Sequence, residues 1–247
     1  MTDATITATA ADATASELAA LARSSSFAWS PDAKRLGGLL RWVVFAFSIY
    51  ILGEITCVMF VGSQLFTPYD LTTYNVDPDT PDFGFMGVAL LGTVYLALNF
   101  GGFIVCVILV GFFVYRATRN LRLSNARGVD IGPAWAVGWY FIPFANLVKP
   151  FQSMKEIWIS SHDPERAAGD APSTLSWWWG CWLGANFIAN ASTAMSNQAG
   201  ADPSMLKVGY AIDAVSSAPS IIAAILLMGI LRQIARAQDR QLEIAAF

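Results

Sequence analysis

The sequence has few charged residues and few residues that bind metals. Only 13% of its 247 residues are Asp, Glu, Lys or Arg, and it holds one histidine and three cysteines. Soluble domains carry charge at about a quarter of their positions, so this composition excludes an ordinary soluble domain. The cysteines show neither CxxC nor Cys/His spacing, and no nucleotide, phosphate or zinc-protease motif occurs. We therefore expect no metal, no cofactor, no nucleic-acid partner and no enzymatic activity.

The sequence contains several long stretches of apolar residues. Apolar residues make up 55% of the chain. A helix that rises ~1.5 Å per residue needs roughly 20 of them to cross ~30 Å of hydrocarbon. Backbone polar groups in lipid must be satisfied within the segment, so each stretch predicts a helix. The sequence predicts an all-α integral membrane protein, a four-transmembrane-helix bundle. Its spans are residues 42–61, 85–114, 177–195 and 208–231.

A fifth apolar stretch, residues 133–148, is too short to be assigned by length. As a straight helix it would reach only ~24 Å, and Pro143 lies inside it. Charge decides the question, because Lys and Arg favour cytoplasmic loops. If this stretch does not cross, 14 of the 15 basic residues lie on one side, and only Lys207 lies on the other. We therefore predict both termini in the cytoplasm and a hairpin at 133–148, re-entrant or interfacial, entered from the cytoplasmic side.

The rest of the chain divides around these spans. Residues 1–30 are rich in Ala, Thr and Ser and predict a disordered cytoplasmic tail. Residues 31–242 form the predicted membrane domain. Apolar residues recur at helical spacing within 150–161, which predicts an amphipathic helix at the membrane surface. Packing of that helix on the protein's own hairpin is an equal alternative. Trp177, Trp178, Trp179 and Trp182 follow, as in an interfacial aromatic belt.

Four polar residues are predicted to lie inside the membrane. They are Glu54, Asn186, Asn190 and Asp213. Charged groups at such depth cost at least ~2.5 kcal/mol on insertion scales and often mark ion or proton pathways. If Glu54 and Asp213 face each other, they could share a proton or hold a cation with the two asparagines. In the alternative, Glu54 bonds to an asparagine and Asp213 reaches the outer headgroups.

The hairpin carries a recognisable motif of prolines, aromatics and asparagine. This block resembles the signature of DUF4328, a bacterial family of multi-pass membrane proteins of unknown function. The resemblance extends over roughly residues 35–240 and implies a bacterial inner-membrane location without an assigned activity. The motif residues are Pro133, Trp135, Gly138, Trp139, Pro143, Asn146 and Pro150.

The same motif has a physical interpretation of its own. Pro143 stops helix formation, Gly138 permits close backbone approach, and Asn146 can bond backbone groups freed at the break. Interrupted segments at membrane depth are tolerated where they are buried in protein or line a watery cavity. The hairpin is therefore either a rigid plug at the cytoplasmic end of the bundle or a gating element.

Two functions follow as hypotheses. The first is a non-enzymatic membrane module that binds membrane lipids, other membrane proteins or a second copy of itself at its cytoplasmic face. Anionic lipid near Arg116, Arg119 and Arg122 would be attracted by ~1 kcal/mol per charge. The second is a small proton- or cation-linked transporter or channel that uses the intramembrane carboxylates.

Overall fold

The protein is all-helical in the part of the chain that the structure describes. The computed structural model describes residues 27–66, 75, 77, 79–80, 82–166, 169–197 and 204–245, so most of the predicted tail lies outside them. Within these residues seven α-helices follow one another: α1 Gly37–Phe66, α2 Phe83–Leu96, α3 Gly102–Leu123, α4 Pro133–Gly138, α5 Lys149–His162, α6 Ser173–Ser196 and α7 Ser204–Ala245.

Three of the described helices are long and apolar enough to cross a membrane. They are Gly37–Phe66, the continuous helix Phe83–Leu123 formed by α2 and α3, and Met205–Ala245. These helices indicate a membrane protein, as the composition predicts. The fourth predicted span coincides with α6, a 24-residue helix. Four tryptophans and two asparagines make α6 less apolar than the other three.

The join between α2 and α3 departs from a plain helix. Residues Ala97–Gly101 form a single π turn inside the second predicted span. Gly53 of α1 lies against this turn, and a β-carbon built on Gly53 would come within 2.7 Å of the Asn99 backbone nitrogen. A π turn widens a helix by one residue and is frequent at functional sites. The two helices therefore meet most closely where the second one is distorted.

The helices pack around α7. Helix α7 runs beside α6 and α1, and α1 packs against α2 and α3. Fully buried side chains, including Leu36, Phe113, Trp178 and Ile230, form one continuous core. Within the described residues, α3 and α6 make almost no direct contact, and the hairpin and α5 lie across the gap between them. The bundle is thus open on one side between α3 and α6.

A buried polar network closes the end of the bundle that carries most of the arginines, called the basic end below. Gln238 of α7 is fully buried, accepts a bond from Asn120 Nδ2 at 3.0 Å and donates to Ser161 Oγ at 2.9 Å. The Asp239 carboxylate accepts from the backbone amides of Leu36 and Gly37 at 2.7 and 2.8 Å. These bonds fix the segment before α1 and helices α3, α5 and α7 to one another.

Candidate functional site: a basic cavity and a polar seam

A cavity of about 320 Å³ lies at the basic end between α3 and the segment that precedes α1. Apolar and basic side chains share its wall. The lining residues are Asp32, Lys34, Leu39, Phe112, Tyr115, Arg116, Arg119 and Asn120. The combination of arginine heads with aromatic rings is suited to an amphiphilic anion.

The cavity exists because Asn120 holds the preceding segment in place. Its Oδ1 accepts from the backbone amide of Lys34 at 3.0 Å, and its Nδ2 donates to the Lys34 carbonyl at 2.8 Å. Asn120 is 2% exposed, so both bonds are shielded from solvent. Arg116 lies one helical turn before Asn120 on the same face of α3. The buried amide therefore brings Lys34 beside Arg116 and Arg119.

The two cavity arginines form no salt bridge with the described residues, although the Asp32 carboxylate also lines the cavity. Nε of Arg116 is buried without a hydrogen-bond partner, and Arg119 is exposed. Throughout the described part of the chain, the one salt bridge joins Arg35 to Glu243 at 3.2 Å. Both guanidinium groups line the cavity, so an anion bound there could accept charge-assisted hydrogen bonds from them.

Arg122 differs from the other two predicted headgroup residues. One of its guanidinium nitrogens donates to the carbonyls of Val129 and Asp130 at 3.1 and 3.4 Å. It therefore fixes the turn that leads into the hairpin. The sequence analysis grouped it with Arg116 and Arg119 because all three lie in the arginine-rich segment predicted to face the cytoplasm, and the backbone carbonyls that bind Arg122 could not be foreseen.

Glu156 of α5 fixes the same turn from its other side. Its carboxyl takes backbone amides of Ile131 and Asp130 as partners, while its Oε2 is buried without one. Partial burial, with a smaller contribution from the Asp130 charge, raises the pKa of the Glu156 carboxyl above its usual range. The sequence analysis did not single out this residue.

A second group of polar side chains lies between α1 and α7. The Tyr95 hydroxyl donates to Asp213 Oδ2 at 2.8 Å, and Cys57 Sγ contacts the same oxygen at 3.5 Å. Glu54 is 5% exposed, and Tyr50 lies one helical turn before it on α1. We call Tyr50, Glu54, Cys57, Tyr95, Asp213 and Ser220 the polar seam.

Glu54 and Asp213 lie on facing helices of the polar seam, but Asn186 and Asn190 do not belong to it. Cys57 meets Asp213, and Tyr50 meets Ser220. Antiparallel packing therefore places Glu54 about one turn from Asp213 along the seam. Asn186 and Asn190 lie on the exposed face of α6, where each amide donates to the carbonyl four residues earlier. Among the described residues neither asparagine bonds to a carboxyl.

The hairpin is built from short turns between α4 and α5. Residues Trp139–Phe141 and Ala145–Leu147 form single 3₁₀ turns. Between them Phe144 adopts φ 64° and ψ −41°, and the Ala145 amide donates to the Pro143 carbonyl at 2.8 Å. This geometry is close to the rare, strained form of the γ-turn. Phe144 at its apex is 86% exposed, so an aromatic ring projects from a strained tip.

The motif residues contribute to the hairpin in different ways. Pro133 is the first residue of α4, and Pro150 is the second residue of α5. Trp135 packs on Trp139 with ring centroids 4.8 Å apart. Lys149 Nζ lies 5.9 Å from the centre of the Trp139 ring.

The predicted role of Asn146 is not seen. In the described residues its side chain makes no hydrogen bond, and its backbone amide donates to the Ile142 carbonyl. The side chain that holds the hairpin backbone is Trp179, whose Nε1 donates to the Leu147 carbonyl at 3.1 Å. Trp178 and Trp179 are 2% and 7% exposed, so these two do not form part of an exposed aromatic belt, while Trp177 is 66% exposed. The Trp179 indole thus makes the bond to the hairpin backbone that the sequence analysis expected of the Asn146 amide.

Comparison of the sequence with protein-family models identifies the family of this chain. The family model described as a domain of unknown function, DUF4328, matches residues 86–236, more than half of the chain. The chain belongs to the DUF4328 family. The match begins later than the resemblance over residues 35–240 suggested, so α1 and Glu54 lie outside it, while the hairpin and Asp213 lie inside. No curated protein and no solved structure matches the chain.

Proposed function

We propose that this DUF4328 protein is a non-enzymatic membrane module that binds anionic phospholipid headgroups at its cytoplasmic face. The observation that carries the proposal is the cavity that Lys34, Arg116 and Arg119 line together with one acidic residue, Asp32, and in which none of the three basic residues forms a salt bridge with a described residue. Phosphate oxygens can accept hydrogen bonds from the guanidinium groups of Arg116 and Arg119, which line the cavity. The rings of Phe112 and Tyr115 provide apolar contact for the glycerol and the upper acyl carbons.

The proposal includes a topology that places this cavity at the inner leaflet. In this topology α6 is a fourth membrane span, both termini are cytoplasmic, and the protein resides in a bacterial inner membrane. The distribution of Lys and Arg supports this orientation. The hairpin dips into the interface from the cytoplasmic side, which gives the exposed Phe144 an apolar environment. Helix α5 then lies along the membrane surface, with Ile157 packed inward.

The expected strength of binding follows from charge. Each Lys or Arg near an anionic surface contributes ~1 kcal/mol, so the three basic residues together contribute about 3 kcal/mol at low salt. Screening reduces this contribution, because the Debye length is only ~8 Å at physiological ionic strength. Binding should therefore favour phosphatidylglycerol over phosphatidylcholine and weaken as salt rises.

Analysis of co-purified lipid tests the proposal. The wild-type protein, solubilised from a membrane that contains both lipids, should retain phosphatidylglycerol in excess of its bulk fraction. The double variant Arg116→Gln/Arg119→Gln should lose the excess. Arg122→Gln should keep it, because Arg122 is bound to backbone carbonyls. Enrichment that persists in the double variant would reject the cavity and leave a protein partner or a second copy as the alternative.

A second candidate function rests on the buried Glu54. A carboxyl that is 5% exposed within a membrane helix is costly, and such residues often belong to proton or cation pathways. The π turn beside it and the Tyr95–Asp213 bond along the seam also support this possibility. In proteoliposomes Glu54→Gln should then alter proton- or cation-dependent flux. Absence of flux in the wild-type protein would eliminate the transporter.

A further inference from the structure

An apolar groove of about 290 Å³ opens on the side of the bundle where α3 and α6 do not meet. Val110 and Gly111 of α3 form one wall, and Ala185 of α6 forms the other. Tyr140 of the hairpin covers the groove at the basic end, and Ala224 of α7 forms part of its floor. The opening faces sideways, toward the surroundings of the membrane helices.

The groove is separate from the basic cavity. An α-helix completes one turn every 3.6 residues. Val107, Val110 and Val114 of α3, which line the groove, therefore lie on the face opposite Phe112 and Arg119, which line the cavity. The two sites therefore need not bind the same molecule, and each can be tested without the other.

The dimensions of the groove match one leaflet of a bilayer. It follows α3 from Phe103 to Val114, roughly 16 Å of helix at 1.5 Å per residue. The hydrocarbon of one leaflet is about 15 Å thick, half of the whole core. An extended acyl chain that enters from the inner leaflet would therefore fill the groove along its length.

The chemistry of the lining also favours an acyl chain. A cavity lined by apolar groups does not hold ordered water, and filling it restores dispersion contacts that its walls lack. The deep end contains the hydroxyl groups of Tyr50 and Ser220. The Asn186 amide donates to the Trp182 carbonyl of its own helix. Apart from these three polar side chains, the lining of the groove is apolar or aromatic.

We propose that the groove between α3 and α6 is a binding site for one acyl chain of an inner-leaflet phospholipid, covered by the hairpin. The chain enters sideways from the bilayer, because Tyr140 and Val137 close the basic end. The phosphate then lies beside the hairpin, where Lys149 is exposed near the Trp139 ring. In this role the motif residues of the hairpin serve as the cover of a lipid-chain site.

Photolabelling with a zwitterionic lipid tests the site independently of the basic cavity. The probe is phosphatidylcholine with a diazirine on one acyl chain, reconstituted with the full-length protein. Label should concentrate on residues 103–114 and 178–186. Val110→Trp fills the groove and should reduce that labelling at least fivefold. Ile108→Trp, on the exposed side of the same helix, should leave it unchanged.

A second pair of variants guards against a folding effect of the tryptophan. Gly111→Leu also projects into the groove, where a β-carbon would lie 3.4 Å from Val137 Cγ1. Gly229→Leu, with open space around it, is the matched control. Labelling that is equal in wild type, Val110→Trp and Gly111→Leu, or spread evenly over the exposed faces, would overturn the proposal. Loss of phosphatidylglycerol enrichment in the cavity variants would leave it untouched.

Discussion

Gly53 of α1 and Asn99 of the π turn lie so close that any side chain on Gly53 would contact the Asn99 backbone. The β-carbon position of Gly53 is 2.7 Å from the Asn99 nitrogen and 2.9 Å from its α-carbon. These are backbone atoms, which cannot swing away as a flexible side chain can. Glu54, the next residue of α1, is held at the same level of the bundle. The helix contact thus fixes the depth of the polar seam.

Replacement of this glycine should separate the two helices. We expect Gly53→Ala to destabilise the protein by about 1–3 kcal/mol, the usual cost of overpacking. A lower melting temperature in detergent would show it. Gly62→Ala is the control on the same helix, since no atom lies within 4 Å of its β-carbon position. Equal melting temperatures for the two variants would mean that the contact is not tight.

A substitution in the buried polar network at the basic end should also destabilise the protein. Gln238→Leu removes the acceptor of Asn120 and the donor to Ser161. An unsatisfied buried polar group costs about 1–3 kcal/mol, so the melting temperature should fall clearly. Gln152→Leu, at an exposed site on α5, is the matched control. A variant at residue 238 as stable as the control would show that the network contributes little.

The turn into the hairpin should show a dependence on pH. Because burial raises the pKa of Glu156, its ionised form destabilises the folded state at pH values above that pKa. The penalty is relieved as the pH falls through the folded-state pKa. Glu156→Gln should therefore melt on the order of 2 °C higher than wild type near pH 8, and the gain should shrink as the pH falls. A gain that does not change between pH 8 and pH 4 would contradict this account.

Composition and spacing could predict much of the fold. Length and apolarity suffice to locate helices that cross a membrane, because lipid imposes a minimum length on each of them. Pro133, Pro143 and Pro150 could mark the hairpin, since proline begins or breaks helices through its own geometry. The all-helical fold and the family follow from these local signals.

The candidate site depends on contacts that are distant in the sequence. Asn120 and Gln238 are 118 residues apart, and nothing in the spacing of either residue points to the other. The basic cavity needs residues before α1 to fold back on α3, which no periodicity reveals. Arg116 and Arg122 have the same chemistry and differ only in the backbone near them. The tryptophan-rich sequence predicts that Trp179 lies at the membrane interface, whereas the structure places its side chain beneath the hairpin.

The proposed orientation can be measured by cysteine labelling. His162→Cys in a background without Cys57, Cys106 and Cys181 places one thiol at the last residue of α5, at an exposed position. In intact spheroplasts of a bacterial host, a membrane-impermeant maleimide should not label this thiol, and permeabilisation should expose it. A cysteine at Lys207 should behave in the opposite way. Labelling of residue 162 in intact spheroplasts would reverse the topology and remove the cavity from the inner leaflet.

The most direct test of the central claim is an equilibrium titration of the purified protein with short-chain phosphatidylglycerol, followed by native mass spectrometry. We predict that Arg116→Gln/Arg119→Gln raises the dissociation constant about tenfold, because the two lost charges contribute ~1 kcal/mol each and are partly screened. Arg232→Gln/Arg236→Gln, which removes two exposed arginines of α7, should bind as wild type does. Equal affinity in all three proteins, or equal affinity of the wild type for phosphatidylcholine, would contradict the account.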